Sequence, residues 1–146
     1  LLQGLVDGSI DVIATDHAPH HYDEKRAAFD SAPFGVVGLE TAVSIALDRL
    51  VNAGLLSLSR LVELFSVNPA RILNVPGGTL APGRAADITV LAPDLAVTVQ
   101  AHRFRSKGRN TPFDGWQLRG GVAATLVGGR LLYINDLVGA NAFAGV

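Results

Sequence analysis

Hydrophobic and polar positions first fall into a pattern over Ile10 to Thr15, where Ile10, Val12 and Ala14 alternate with Asp11, Ile13 and Thr15. The stretch is short, β-branched and stops at Asp16, which predicts a strand. From His17 to Ser31 the chain turns polar and charged, with Pro19 inside it, and a loop is expected. Past Pro33-Phe34-Gly35 the period changes. Leu39, Val43, Leu47 and Leu50 recur at helical spacing, Glu40, Asp48 and Arg49 fall off that stripe, and Gly54 supplies a stop. A second helix is expected after Ser57, with Leu58, Leu61, Val62 and Phe65 as its apolar face. Asn68-Pro69 reads as the N-cap and first-turn proline of a short third helix through Leu73.

The pattern then shifts again. Pro76, Gly77, Gly78, Pro82 and Gly83 puncture the chain, Ile88 to Leu91 reads as a strand, and Val97 and Val99 begin another alternating stretch. Val122 to Val127, Gly128-Gly129 and Arg130 to Ile134 predict a hairpin with a two-glycine turn. No internal repeat is present. The chain therefore divides into 1–74, a strand, a long loop and helices, and 75–146, a β segment. A strand ending in a polar residue and followed by a helix is the repeating unit of an α/β barrel. One unit cannot close a barrel, which takes about 250 residues, and alone it leaves apolar faces uncovered.

Composition narrows the function classes. Apolar residues make up 49% of the 146 and charged ones 17%, which marks a core-forming sequence. Twelve Lys plus Arg stand against 13 Asp plus Glu, and a net charge of -1 gives no footprint for nucleic acid or an anionic membrane. With no cysteine, disulfides and thiolate metal sites are excluded. No apolar run approaches the roughly 20 residues of a membrane span, and Leu1 to Asp7 lack a basic leader pattern. The chain contains no Met, and it reads as though it begins inside a larger protein of the cytoplasm.

Asp16 lies at the predicted C-terminal end of a strand, where barrel enzymes place catalytic groups. A carboxylate there can bind a metal and move a proton, or simply cap the following turn. Three histidines, His17, His20 and His21, crowd behind it. Pro19 argues against a metal-binding helix there. There is no His-x-His pair and no His-Glu-x-x-His, so a zinc site of three or more ligands cannot be completed from these residues. Arg103, Arg105, Lys107 and Arg109 alternate, and an extended segment would put all four on one face, as a solvated strand or a small anion patch. Trp116 reads as a packing residue, and Asp87 as a turn residue without chemistry.

Four ordered segments resemble one family. Ala14-Thr15-Asp16-His17-Ala18-Pro19-His20 is similar to the Asp-x-Ala-Pro-His motif of dihydroorotases in the amidohydrolase superfamily. Pro33 to Thr41 resembles the substrate loop and final barrel helix of the bacterial type I enzymes. Gly78 to Asp87 resembles the opening of the superfamily's small β-domain, and Ser106 to Phe113 a late dihydroorotase segment. The similarity spans residues 1 to 134 and leaves Asn135 to Val146 unmatched. It implies an α/β fold, with 1–74 the last strand, substrate loop and final helices of a metal-dependent hydrolase (β/α)8 barrel and 75–146 part of a small β-sandwich domain. It implies reversible zinc-dependent hydrolysis of dihydroorotate to N-carbamoyl-L-aspartate in pyrimidine synthesis. Asp16 would bind one of one or two Zn2+ ions and act as general base and acid. His20 would contact substrate, as would Phe34 and Gly35 through backbone groups. A homodimer, and association with aspartate transcarbamoylase, are the partner expectations that come with the resemblance.

The remaining metal ligands and the residues that hold the substrate carboxylate lie upstream in the family, so the isolated chain is expected to be inactive. Allantoinase and dihydropyrimidinase share the scaffold and the aspartate. The Ala-Pro-His after Asp16 and Arg109 to Phe113 favour dihydroorotase. A non-catalytic homologue that scaffolds aspartate transcarbamoylase is the alternative from another class; retention of Asp16 and His20 speaks against it.

Overall fold

Three antiparallel strands and five short helices carry the regular structure of the computed structural model, which describes residues 1–139. Helix α1 (Leu2–Asp7) stops at Gly8, whose φ of 86° is the left-handed conformation that ends helices. Ile10 to Thr15 follow it, but not as a strand of a sheet. Their polar groups go to the helices instead. The Ile13 N–H donates to the Leu64 carbonyl at 3.1 Å, and Arg60 Nη2 and Asn68 Nδ2 donate to the carbonyls of Ile10 and Asp11 at 3.2 and 2.9 Å. A strand is defined by its neighbours, and no described segment lies beside this one in a ladder.

The short helix α2 (Tyr22–Lys25) interrupts the polar loop. Helix α3 (Ala42–Ala46) runs into a π-helical turn at Leu47–Val51. Helix α4 (Leu58–Val62) is capped by Ser57, whose hydroxyl accepts the Arg60 N–H at 3.1 Å, and runs through a second π-helical turn (Glu63–Val67) into α5 (Asn68–Leu73). The expected N-cap at Asn68 is therefore corrected: its backbone is helical (φ -66°) and the helix passes straight through. Pro69 has no N–H, and in a regular α-helix its ring would press on the Phe65 carbonyl. The π turn just ahead of it shifts the hydrogen-bond pattern by one residue and makes room.

Ala46, Leu47, Leu50, Leu56, Leu61 and Leu64 form the core, with Ile13, Val43 and Phe65 packed against it. Three expected stripe positions are corrected. Leu39 precedes α3 in a turn and is 64% exposed, and Leu58 and Val62 flank the buried line instead of forming it. Leu64, 0% exposed, takes the central place, because α4 presents Leu61 and the π turn carries the next inward residue to 64.

The sheet runs in the order β1 (Ile88–Thr98), β2 (Gln117–Val127), β3 (Arg130–Ile134). Ile88 to Leu91 and the stretch from Val97 belong to one strand, with register shifts at Val90/Leu91 and Ala92/Ala96. Pro93, which cannot donate, lies inside the second irregularity. The β2–β3 hairpin turns on Gly128 and Gly129, at φ 55° and 76°, as a two-residue turn of the I′ kind demands. Asp87 Oδ1 accepts the Gly128 N–H at 2.7 Å and ties that turn to the start of β1. The sheet meets the π turn that continues α3 at Gly120: a Cβ there would lie 2.5 Å from the Leu47 Cβ, so only glycine lets the two elements close.

The run Arg103 to Arg109 is not extended. A 3-10 turn (Ala101–Arg103) bends it, Arg103 pairs with Asp136 at 3.0 Å, and the Arg105 and Ser106 N–H groups donate to the Glu40 carboxylate at 2.9 and 3.1 Å. Trp116 packs edge-on to Phe113, with ring centroids 5.1 Å apart, under the Arg49 guanidinium. Among the described residues no helix is long and apolar enough to cross a membrane.

Candidate functional site

Asp16 ends the extended segment in a backbone conformation that few residues accept. Its φ is 43°, one of two positive values at non-glycine positions among the described residues, and Asp tolerates it better than most. The residue is exposed. The backbone bend turns the chain from the helix-bound segment into the loop of histidines.

Those histidines sort into three jobs. His17 Nδ1 accepts the N–H groups of Gly38 and Leu39 at 3.1 and 3.3 Å, which puts its proton on Nε2, facing Ser106 Oγ at 3.4 Å. Both ring nitrogens are used, so His17 is a brace. His21 caps α2 in a reciprocal box: its Nδ1 accepts the Asp23 N–H at 3.3 Å, and Glu24 Oε2 accepts the His21 N–H at 3.1 Å. His20 alone turns toward the glycine loop, with Nε2 2.8 Å from the Phe34 carbonyl and Nδ1 3.6 Å from Glu24.

Phe34 and Gly35 form the opposite wall. The Phe34 side chain is 93% exposed, so its backbone is the part held in place. Gly35 has φ 96°, and a Cβ there would lie 2.5 Å from the Ala18 Cβ. Glycine is needed both for the left-handed turn and for the close contact with the Asp16 loop. The Gly35 carbonyl is held from two sides, by Lys25 Nζ at 3.1 Å and Asn110 Nδ2 at 3.3 Å. Lys25 Nζ also reaches the Pro33 carbonyl at 2.8 Å.

The structure thus brings His20, Phe34 and Gly35 into direct contact, with Asp16 at the head of the same loop. Lys25, Glu40 and Asn110 tie these loops together; Asn110 falls in the 109–113 stretch that carries the resemblance, without a role read from it, and nothing in the sequence marks Lys25 or Glu40 for the site. Their partners lie 10, 65 and 90 residues away. A groove of about 880 Å³ lies elsewhere, between α4 and the 76–91 segment, and its lining is mostly apolar. It is the seam between helices and sheet and carries none of these groups.

A carboxylate at position 16 suits a hard or borderline cation such as zinc. It can contribute one ligand only: among the described residues no three His, Cys, Asp or Glu converge to hold a metal. By itself the Asp16 carboxylate could supply a single ligand to a metal ion.

A model of the amidohydrolase family matches residues 1–132. The chain is 56% identical over 130 residues to a dihydroorotase of Pelotomaculum thermopropionicum, covering 89% of this chain and 30% of that protein. It is 54% identical over 134 residues to a dihydroorotase of Syntrophus aciditrophicus, covering 92% and 31%. Among solved structures it superposes on an L-hydantoinase (dihydropyrimidinase) from Arthrobacter aurescens with a TM-score of 0.85 at 35% identity, covering 91% of this chain and 31% of that one. The chain spans about a third of the length of the relatives it matches.

Proposed function

The chain belongs to the amidohydrolase family, and from that premise we propose that it is the C-terminal portion of a dihydroorotase. In this reading 1–74 closes a (β/α)8 barrel and 75–146 belongs to a small β-sandwich domain. The observation that carries the reading is the 56% identity to a dihydroorotase across the stretch that builds the Asp16, His20 and Gly35 loops. The reaction is the reversible hydrolysis of dihydroorotate to N-carbamoyl-L-aspartate, in the cytoplasm, as a step of pyrimidine synthesis.

Water oxygen bonds to the ring amide carbon, the carbon–nitrogen bond breaks, and the ring nitrogen leaves with a proton. The Asp16 carboxylate takes the proton from the attacking water and returns it to that nitrogen. Its exposed position at the head of the loop suits a group that must meet both water and substrate. His20 and the backbone of Phe34 and Gly35 bind the substrate ring. Asp16 also holds one of one or two zinc ions, which when bound supply Lewis-acid polarisation of the carbonyl. The rest of the polypeptide supplies the other ligands, and residues 1–146 alone are inactive. A homodimer, and contact with aspartate transcarbamoylase, fit the same reading.

Dihydropyrimidinase is the second reading, favoured by the superposition on the Arthrobacter aurescens enzyme. Turnover by the complete zinc-loaded polypeptide that carries this segment decides between them. Dihydroorotate is the expected substrate, with dihydrouracil and hydantoin turned over poorly. Preference for either of the latter replaces the reading with dihydropyrimidinase. No turnover of any of the three by a folded protein points to a scaffold homologue.

A further inference from the structure

One amide side chain joins the walls of the candidate site. Asn110 Oδ1 accepts the His20 N–H at 3.0 Å, while Nδ2 donates to the Ala18 carbonyl at 2.9 Å and to the Gly35 carbonyl at 3.3 Å. Its own backbone carbonyl accepts the Val37 N–H at 3.1 Å. The loop that carries His20 and the loop that carries Phe34 and Gly35 are thereby held to a third segment, 75 to 92 positions distant in sequence. The chemistry selects the residue. An acceptor and two donors in one rigid plane are what a carboxamide offers. A carboxylate of the same shape would keep the bond to His20 and set an oxygen against two carbonyls.

Asn110 is itself firmly seated. Gly108 lies on Pro19 so closely that a Cβ would come within 2.6 Å of the proline Cβ, and the Glu40 carboxylate anchors the N–H groups of Arg105 and Ser106. Lys25 braces the Gly35 carbonyl from the other side. All three Asn110 side-chain bonds go to protein backbone, so it acts through other groups.

We propose that Asn110 is a positioning residue of the catalytic site: it sets the distance and angle between His20 and the Gly35 peptide, and so the affinity for the substrate ring. The inference rests on the dihydroorotase reading. Small displacements of binding groups are costly when a site is preorganised, and a lost buried hydrogen bond leaves its partner unsatisfied.

The test is Asn110→Asp in the complete zinc-loaded protein, read as KM, kcat, affinity for N-carbamoyl-L-aspartate, zinc content and Tm. KM and the Kd for N-carbamoyl-L-aspartate should rise about 10-fold or more, with a smaller fall in kcat and zinc content retained. Lys25→Met should shift KM in the same direction by less, because Asn110 still holds the Gly35 carbonyl. If Asn110→Asp does not fold, Gly108→Ala, which pushes the segment off Pro19, is expected to raise KM likewise. Wild-type KM in the folded variants overturns the inference, as does a loss of kcat and zinc together at unchanged KM. If the wild type is folded and zinc-loaded but leaves dihydroorotate untouched, the dihydroorotase reading falls and this inference falls with it. Activity in the wild type with an indifferent Asn110→Asp removes the inference alone.

Discussion

The helical segment from Ala42 to Leu73 and the loop from Asp16 to Gly38 adjoin each other yet are held by different forces. In the first, Leu47, Leu50, Leu61 and Leu64 exclude water, and polar side chains serve mainly as caps and ties at the edges. In the second, hardly any large apolar side chain is buried, and Phe34 is almost wholly exposed. The loop keeps its shape through side chains that bond to backbone: His17 to Gly38, Lys25 to Gly35, Asn110 to Ala18 and His20. Burial gives rigidity without direction. Hydrogen bonds to backbone fix orientation while leaving the side chains of Asp16 and Phe34 exposed, an arrangement that suits the proposed site. The difference teaches that stability and chemistry are divided between two neighbouring stretches of one chain.

In stability, the largest effect should come from the buried side. Leu64→Ala is expected to cost about 2–5 kcal/mol, the range for truncating a buried leucine, read from denaturant unfolding of the complete protein; a loss under 1 kcal/mol would break the contrast. Gly120→Ala comes next. Its Cβ would press on Leu47 from a backbone at φ 115°, and overpacking of this kind costs about 1–3 kcal/mol. Removing the cap of α4 by Ser57→Ala should cost about 1 kcal/mol by the same measurement.

The smallest effect concerns Asp7, whose carboxyl is held below the usual carboxylate range by the hydroxyl and N–H of Ser9. A lowered folded-state pKa gives stability that is present above the unfolded value and is lost as pH falls through the folded one. The group is fully exposed, so the contribution is slight. Ser9→Ala, which removes the hydroxyl and keeps the N–H, should return the Asp7 titration part of the way toward its ordinary value in an NMR pH series, and an unchanged titration would show that the hydroxyl is not the cause.

The buried side was the more legible in sequence. Leu47, Leu50 and Leu61 are inward as helical spacing predicts, and the Gly128-Gly129 turn declares its hairpin. Leu39 is misplaced there because the helix starts only at Ala42, and the other misreadings trace to Pro69, whose accommodation by a π turn carries the inward line to Leu64 and leaves Asn68 inside a helix. Ile10 to Thr15 has the composition of a strand but no neighbour to pair with among the described residues, which composition cannot reveal. In the loop, Asp16, His20 and Gly35 stand out by motif, and Asn110 falls in the Arg109 to Phe113 stretch, but the work of Asn110 and Lys25 on backbone carbonyls does not show there. Backbone carbonyls are the same at every position, so no residue pattern announces such contacts.

The most direct measurement is dihydroorotate turnover by Asp16→Asn in the complete zinc-loaded protein, with its thermal unfolding recorded beside the wild type. Turnover should fall by about 10²–10⁴-fold or more, as for loss of a general acid–base group, and Tm should stay close to wild type because the Asp16 side chain is exposed and outside the core. Turnover within a few-fold of wild type, or a drop in Tm to match that of Leu64→Ala, would contradict the division of labour between the two regions.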